Sequence, residues 1–392
     1  MNRYSILQKD KFLILRRLLL ISFSIGFVFI LFNSCVQSNS SKSENEIADS
    51  VWKPKYAKGF RIEYFSDYKK IFINDPWDEG KILAKYILKA SENDFHFSSD
   101  FTVINVPCTS MACLFAPDVA FANQLNLIPL IKACSSIDYF HNSKLHNQVL
   151  EGKTMDVGPS ENFNIEKLMA SNSSVCFVSP FRENRYQKIE EAGIPIVINA
   201  CHMEEDPLAR AEWLVFYSAF FNQEAKAKNI FKNIEEQYLK TKSLVVDVPN
   251  RPTIFSGKLF QDVWYVSGGK SYISRLFGDA GAKYIWHDLP FGGSEPYDLE
   301  IIMSKALSAD FWLIQEYIDA GYDYPRLASE NIKYSYFDAF RNKNIILSNS
   351  KLTPYYEDGV LEPHLILKDL IYIFHPNLLP HHKAKYIKPL KK

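Results

Sequence analysis

Short apolar runs rich in Val, Ile and Phe recur in two stretches of the chain. Between about 58 and 205 they are "FRIEYF", "FTVINV", "SVCFVSP" and "IPIVINA". Between about 250 and 350 the pattern restarts with "PTIFSG", "VWYVSG", "DFWLIQEY" and "NIILSN". Helix-like stretches lie between several of them. Strand-length runs alternating with helical segments predict βα units and a mostly parallel sheet in each stretch. The expected fold class is α/β, with one lobe over 58–205 and a second over 244–392 that ends in a helix.

A single helical pattern separates the lobes, over 206–243. Asp206 can cap it, and Pro207 suits a first turn, where no N–H is needed. The run from Leu208 to Lys242 then holds no Gly or Pro. Leu208, Ala211, Leu214, Ser218 and Phe221 share a face, and Ile230, Ile234 and Tyr238 continue a stripe. The spacing predicts one continuous helix over about 207–242, roughly 50 Å long, acting as a spine. A weak internal repeat relates the lobes. "FNIEKLMASNSSVCFV" and "YDLEIIMSKALSADFWLI" place Glu166 and Glu300 at matching positions in a first helical turn. On its own, an acid there serves capping and the helix dipole.

The N-terminus reads as a targeting segment. Arg3, Lys9, Lys11, Arg16 and Arg17 form a basic head, followed by the apolar run "LLLISFSIGFVFILF" and then Cys35. The run is short for a stable span and sits in the signal-peptide position. Residues 1–34 are expected to be a signal peptide, with lipidation at Cys35 and a flexible tether over 35–57. Phe32 and Asn33 match the usual small-residue cleavage site poorly, which leaves an uncleaved anchor as the alternative. Either way the body lies outside the cytoplasm, held at a membrane. Acidic and basic residues balance at 45 each, which argues against nucleic acid as a partner. Apart from Cys35 there are Cys108, Cys113, Cys134, Cys176 and Cys201, so at least one thiol is unpaired. Cys108 and Cys113 lack the partners of a zinc site.

"WYVSGGKS" (264–271) ends like a phosphate-binding loop, but the required first glycine is Trp264. The indole would fill the space through which backbone N–H groups reach a phosphate. What remains is an aromatic pair, Trp264 and Tyr265, before a glycine turn. These are core aromatics or a ligand wall. No G-x-S-x-G elbow or H-E-x-x-H pair points to an enzyme. His141 and His146 are off one helical face, and His202 with Glu204 or Glu205 is the better candidate for a metal.

Four segments carry a resemblance: "AGIPIVI", "DPLARAEWLVFYSAFF", "VSGGKSYISRLFGDAGAKYIWHD" and "HLILKDLIYIFHPNLLP". They resemble the substrate-binding proteins of ABC importers for iron-siderophore complexes and cobalamin, in a form typical of Bacteroidetes-like lipoproteins. The resemblance covers about 58–380. It implies two Rossmann-like lobes with parallel-type sheets, joined by one long rigid α-helix, and a ligand cleft between the lobes. It implies an ABC permease partner that receives Glu166 and Glu300, one acid from each lobe. It implies a monomeric binding protein without catalytic residues or a resident cofactor. Ligand contacts would come from Thr109, Ser110, Phe181, Arg182, Trp264, Tyr265, Gly268, Gly269, Trp286, Phe291, Tyr355 and Tyr356, with Lys270 a further cation for a charged siderophore. The ligand would be a ferric siderophore or cobalamin. Haem, or a metal ion bound directly by a lipoprotein of similar architecture, is the alternative.

Overall fold

The computed structural model describes residues 47–90, 97–183 and 185–392. Residues 1–34 and Cys35, where the signal peptide and lipidation site are expected, lie outside the described residues. Among the described residues no helix is long and apolar enough to cross a membrane.

The N-terminal lobe holds two sheets. The first is β1 (Ser50–Trp52), β2 (Phe60–Tyr64), β3 (Tyr68–Asn74), β4 (Ile82–Lys89) and β5 (Thr102–Asn105), in that order. It is antiparallel except for the parallel β4–β5 pair. The expected βα pattern therefore begins only after residue 105. Lysines interrupt "YKKIFIN" and "ILAKYILK", which hides two strands whose Ile71, Ile73, Ile87 and Leu88 are core residues. The second sheet is fully parallel, in the order β10–β9–β6–β7–β8. Its strands are β6 (Met111–Cys113), β7 (Ile131–Cys134), β8 (Met155–Asp156), β9 (Cys176–Val178) and β10 (Ile196–Ile198). Helix α1 (Ala116–Leu125) follows β6, and α2 (Ile165–Ala170) precedes β9. The five described cysteines are buried and unpaired.

The expected tether to residue 57 is too long. β1 pairs with β2, and the N–H groups of Lys55, Tyr56 and Ala57 all donate to the Glu212 carboxylate, at 2.8, 2.8 and 2.9 Å. Lys58 and Gly59 donate to Glu204 in the same way. This segment is part of the folded body.

The connecting helix is present as two helices, not one. α3 runs Pro207–Ala219 and α4 runs Glu224–Ser243. Asn222 takes a left-handed φ of 54°. The Gln223 N–H returns to the Ser218 carbonyl at 3.1 Å, and that of Asn222 to Ala219. This is a helix-ending motif, built on Asn in place of Gly. Lys69 then fixes the break. Its ammonium donates to the Ala219 carbonyl at 3.2 Å and to the Asn222 side chain at 2.9 Å, and it pairs with Glu224. The absence of Gly and Pro concealed this stop. α3 is buried almost all round, whereas α4 buries one stripe: Ala227, Phe231, Ile234, Tyr238 and Thr241.

The C-terminal lobe has a mainly parallel sheet in the order β14–β11–β16–β17–β18, with only β18 antiparallel. Its strands are β11 (Thr253–Ser256), β14 (Lys283–Tyr284), β16 (Phe311–Glu316), β17 (Ile345–Asn349) and β18 (Lys388–Pro389). A small antiparallel sheet joins β12 (Leu259–Phe260), β13 (Val263–Ser267) and β15 (Ser294–Tyr297). Helices α5 (Tyr272–Asp279), α6 (Leu299–Ala306) and α7 (Pro363–Phe374) complete the parts used below.

Candidate interlobe binding cleft

Parallel strands point their C-terminal ends, and the loops that leave them, in one direction, which makes that edge the usual ligand site of α/β sheets. In both lobes these ends face each other across a cleft of about 470 Å³. From the N-terminal lobe, the chain leaving β6 brings Phe115, Ala116 and Pro117 at the start of α1, and the chain leaving β10 brings His202. From the C-terminal lobe come Ser267, Tyr272, Gly292 to Ser294, Gln315 and the loop holding Tyr355, Tyr356, Gly359 and Val360. Arg210 of α3 lies between the two sets.

Arg210 supplies the cleft's positive charge. Its Nε donates to the Glu204 carbonyl at 2.9 Å, and its guanidinium lies 3.8 Å from the centre of the Tyr272 ring. Among the described residues no carboxylate forms an ion pair with it. An arginine fixed by a backbone carbonyl and an aromatic face keeps its remaining donors for a ligand. His202 meets the Phe115 ring edge-on at 5.2 Å. Its Nδ1 is buried without a partner, and burial beside Arg210 holds the imidazole down to about 4, hence neutral. Tyr355 and Tyr356 stand edge-to-face at 5.2 Å. Burial pushes the Tyr355 hydroxyl well above its ordinary range, so it remains protonated. The cleft thus offers one guanidinium, neutral hydroxyl and imidazole groups, and aromatic faces.

No family model matches the chain. It is 26% identical to an uncharacterised lipoprotein of Methanocaldococcus jannaschii over 374 residues, covering 90% of this chain and 88% of the relative. A second uncharacterised lipoprotein of that organism is 24% identical over 387 residues, covering 93% and 96%. Among solved structures, a periplasmic binding protein of Veillonella parvula superposes with a TM-score of 0.56 at 13% identity, covering 81% of this chain and 98% of that one. A periplasmic haem-binding protein of Roseiflexus sp. RS-1 in apo form gives 0.54 at 16%, covering 69% and 99%. An ABC-type Fe3+-hydroxamate transport protein of Saccharomonospora viridis gives 0.54 at 14%, covering 69% and 94%. The chain has the two-lobed periplasmic binding protein fold.

Within that fold, Tyr355 and Tyr356 are the two expected contact residues that line the cleft. Trp264 does not. It is fully buried among Phe255, Trp312, Tyr334 and Phe337, and its indole N–H donates to the Ser256 carbonyl at 3.0 Å. Tyr265 points to the other face of β13 and is half exposed outside the cleft. Trp286 is buried against Tyr284. Gly268 and Gly269 serve the protein's own backbone. A Cβ on Gly268 would fall 2.0 Å from the Phe291 carbonyl oxygen, and one on Gly269 2.2 Å from that of His287. The N–H groups of Gly268, Gly269 and Lys270 donate to Gly293, Leu289 and Phe291 carbonyls, so none remains for a phosphate. Ser271 caps α5. Phe291 is the wall against which Gly268 rests and is not a cleft residue.

Thr109 and Ser110 lie at the wrong end of their strand. The sheet strand is β6, which starts at Met111, so its cleft end is Cys113, from which the chain leads to Phe115. Ser110 donates to the Asn172 carbonyl at 3.1 Å instead. Phe181 follows β9 but packs against Tyr186, and the Arg182 guanidinium lies 5.6 Å from the Trp77 ring. The metal candidate at His202 also disperses. The Glu204 carboxylate is turned to Lys58, Gly59 and the Trp213 indole, and among the described residues no three His, Cys, Asp or Glu side chains converge. Glu166 and Glu300 are exposed in the first turns of α2 and α6. Lys333 pairs with Glu300 at 2.9 Å and holds its carboxyl below the ordinary range. Among the cleft residues that sequence reasoning missed, such as Phe115, Tyr272 and Gln315, the charged one is Arg210. Its signal was visible: between Leu208 and Phe221 the only charges are Arg210 and Glu212.

Proposed function

We propose that this chain is a membrane-anchored substrate-binding protein that captures an anionic iron complex, a ferric siderophore or haem, between its lobes. It then delivers that complex to an ABC importer permease. The observation that carries the reading is an arginine without an acidic partner, set among tyrosines in a cleft formed by two lobes. A charge left uncompensated in a partly buried site favours a ligand of opposite sign. The fold's solved relatives include a haem-binding protein and a hydroxamate transport protein, which supports an iron complex as cargo. The lipoprotein relatives support an envelope location with Cys35 as the anchor. Cobalamin has no such support among them, and a bare metal ion lacks a ligand set among the described residues.

The test is calorimetric titration of the purified protein with ferric hydroxamate and catecholate siderophores, haemin, cobalamin and ferric chloride. One anionic iron complex should bind with a dissociation constant below about 1 μM, or −8.2 kcal/mol. The Arg210→Ala variant should bind it much more weakly. Binding of ferric chloride alone, or of cobalamin alone, would replace the proposal.

A further inference from the structure

The segment Asp138–His141, which follows β7 in the N-terminal lobe, reaches the C-terminal lobe at three places. The His141 N–H donates to Glu357 Oε2 at 2.6 Å. The His141 ring, through Nε2, lies 3.0 Å from the Ser350 carbonyl oxygen, which makes that nitrogen the donor. The Tyr317 hydroxyl donates to the Asp138 carbonyl at 3.3 Å, and the Tyr139 and Tyr317 rings meet edge-to-face at 5.4 Å. These contacts are polar or at an exposed rim, unlike the apolar cores of the lobes. Interfaces of that kind open more readily than hydrophobic ones.

Glu357 is the unusual member. It is only 2% exposed, yet its partner comes from the other lobe. It also sits between Tyr356 and Gly359 in the loop that lines the cleft. Burial pushes the Glu357 carboxyl up to about 7, and on losing its donor the group must find water, take up a proton or carry a desolvation cost. Half-separated lobes are therefore disfavoured, and the contact behaves as made or broken.

We propose that these contacts form a latch, in which Glu357 ties the cleft-wall loop of one lobe to Asp138–His141 of the other, and whose release opens the cleft. The link to ligand exchange rests on the cleft being the binding site. The latch itself is a statement about the lobes and is tested without any ligand.

Spin labels would be introduced through non-cysteine chemistry at Leu150 and Ile332, which are 85% and 69% exposed and lie on different lobes. Pulsed dipolar spectroscopy on the full chain, with no siderophore or haemin present, then reads the distance between lobes. The parent should give one narrow distribution. Glu357→Ala should add a longer population, raising the open-to-closed ratio roughly three- to tenfold, the effect of losing one hydrogen bond to a carboxyl that burial pushes up to about 7. Glu357→Gln keeps an acceptor oxygen and should stay near the parent. Tyr139→Ser, at the exposed rim, should broaden the distribution less and in the same direction. A folded Glu357→Ala with the parent distribution overturns the latch. If that variant fails to fold, Tyr139→Ser and Tyr317→Phe decide, and unchanged distances in both overturn it. Since no ligand enters these measurements, failure of the iron-complex reading leaves the outcome intact.

Discussion

α3 carries two charges within one turn, and its two sides use them oppositely. On the side facing the N-terminal segment, Glu212 takes three backbone N–H groups from Lys55, Tyr56 and Ala57. On the side facing the cleft, Arg210 is held in place yet forms no ion pair among the described residues. The first charge is consumed in holding the chain together. The second is positioned and left available. A buried charge is tolerated when the fold supplies its partners, and one whose partners are missing points to something that arrives from outside.

The largest effect should come from breaking the consumed charge. Burial pushes the Glu212 carboxyl up while its three N–H donors pull it back. Removing it leaves those donors without a partner, at about 1–3 kcal/mol for each one that water cannot reach. Lys55 is exposed and Tyr56 partly so, so Glu212→Ala should cost about 3 kcal/mol in urea unfolding. Ligand affinity of the folded protein should be unchanged. A loss below about 1 kcal/mol would mean that the N-terminal segment is not held by Glu212.

Arg210→Ala tests the available charge. Stability should fall by less than about 1 kcal/mol, from the lost contact with Tyr272 and the Glu204 carbonyl. Affinity for the bound iron complex should fall roughly 10- to 100-fold, as expected for charge-assisted hydrogen bonds. Arg210→Lys should recover part of it, because an ammonium keeps the charge but not the planar fork. An unchanged affinity in Arg210→Ala, or a loss of stability matching that of Glu212→Ala, would erase the distinction between the two sides.

His202 is the uncharged counterpart, a buried group without a partner at Nδ1. Its folded value of about 4 lies below the ordinary 6.5. The unfolded chain therefore takes up the proton first, and stability is lost as pH falls from about 6.5 towards 4. Between pH 7 and pH 5 that loss amounts to roughly 1–2 kcal/mol for this residue. His364 is also held down to about 4 and adds its own share. In His202→Gln the difference in urea stability between the two pH values should shrink by the His202 share. An identical pH dependence would show that the imidazole is solvated.

The same distinction explains what the sequence made legible. The lobes were readable because parallel strands, buried on both faces, give uninterrupted runs such as "FWLI" and "NIIL". The antiparallel strands were not, because their lysines dilute the pattern and Lys70 itself packs among Phe65, Tyr68 and Phe101. Aromatic pairs were ambiguous for a geometric reason. Trp264 and Tyr265 are neighbours on a strand, so their side chains leave opposite faces and cannot both line one wall. Tyr355 and Tyr356 lie in a loop and are free of that rule. Gly268 and Gly269 were expected to contact a ligand, but the group that approaches them closely is the protein's own 287–293 loop. Cleft residues such as Tyr272 and Gln315 carry no local signature. They become neighbours only when two sheets are brought edge to edge.

The smallest effect concerns the exposed acids, where the distinction recurs between the lobes. Glu300 is paired with Lys333, whereas Glu166 has no ion pair among the described residues. If both acids meet permease arginines, part of the field of Glu300 is already cancelled. Exposed charges of this kind steer encounter more than they set affinity, and an exposed pair contributes little to stability. Glu166→Ala should therefore slow capture by the permease more than Glu300→Ala does, measured as the association rate on reconstituted transporter. Lys333→Ala should speed it slightly, by releasing Glu300. The differences should fade as ionic strength approaches 1 M, where screening acts within about 3 Å. Ligand affinity and urea stability should match the parent in all three variants. Equal rates for Glu166→Ala and the parent at low salt would leave Glu166 as an exposed first-turn acid. A double variant, Glu166→Ala with Glu300→Ala, that still transports at the parent rate would separate this chain from the docking mode its two matched acids imply.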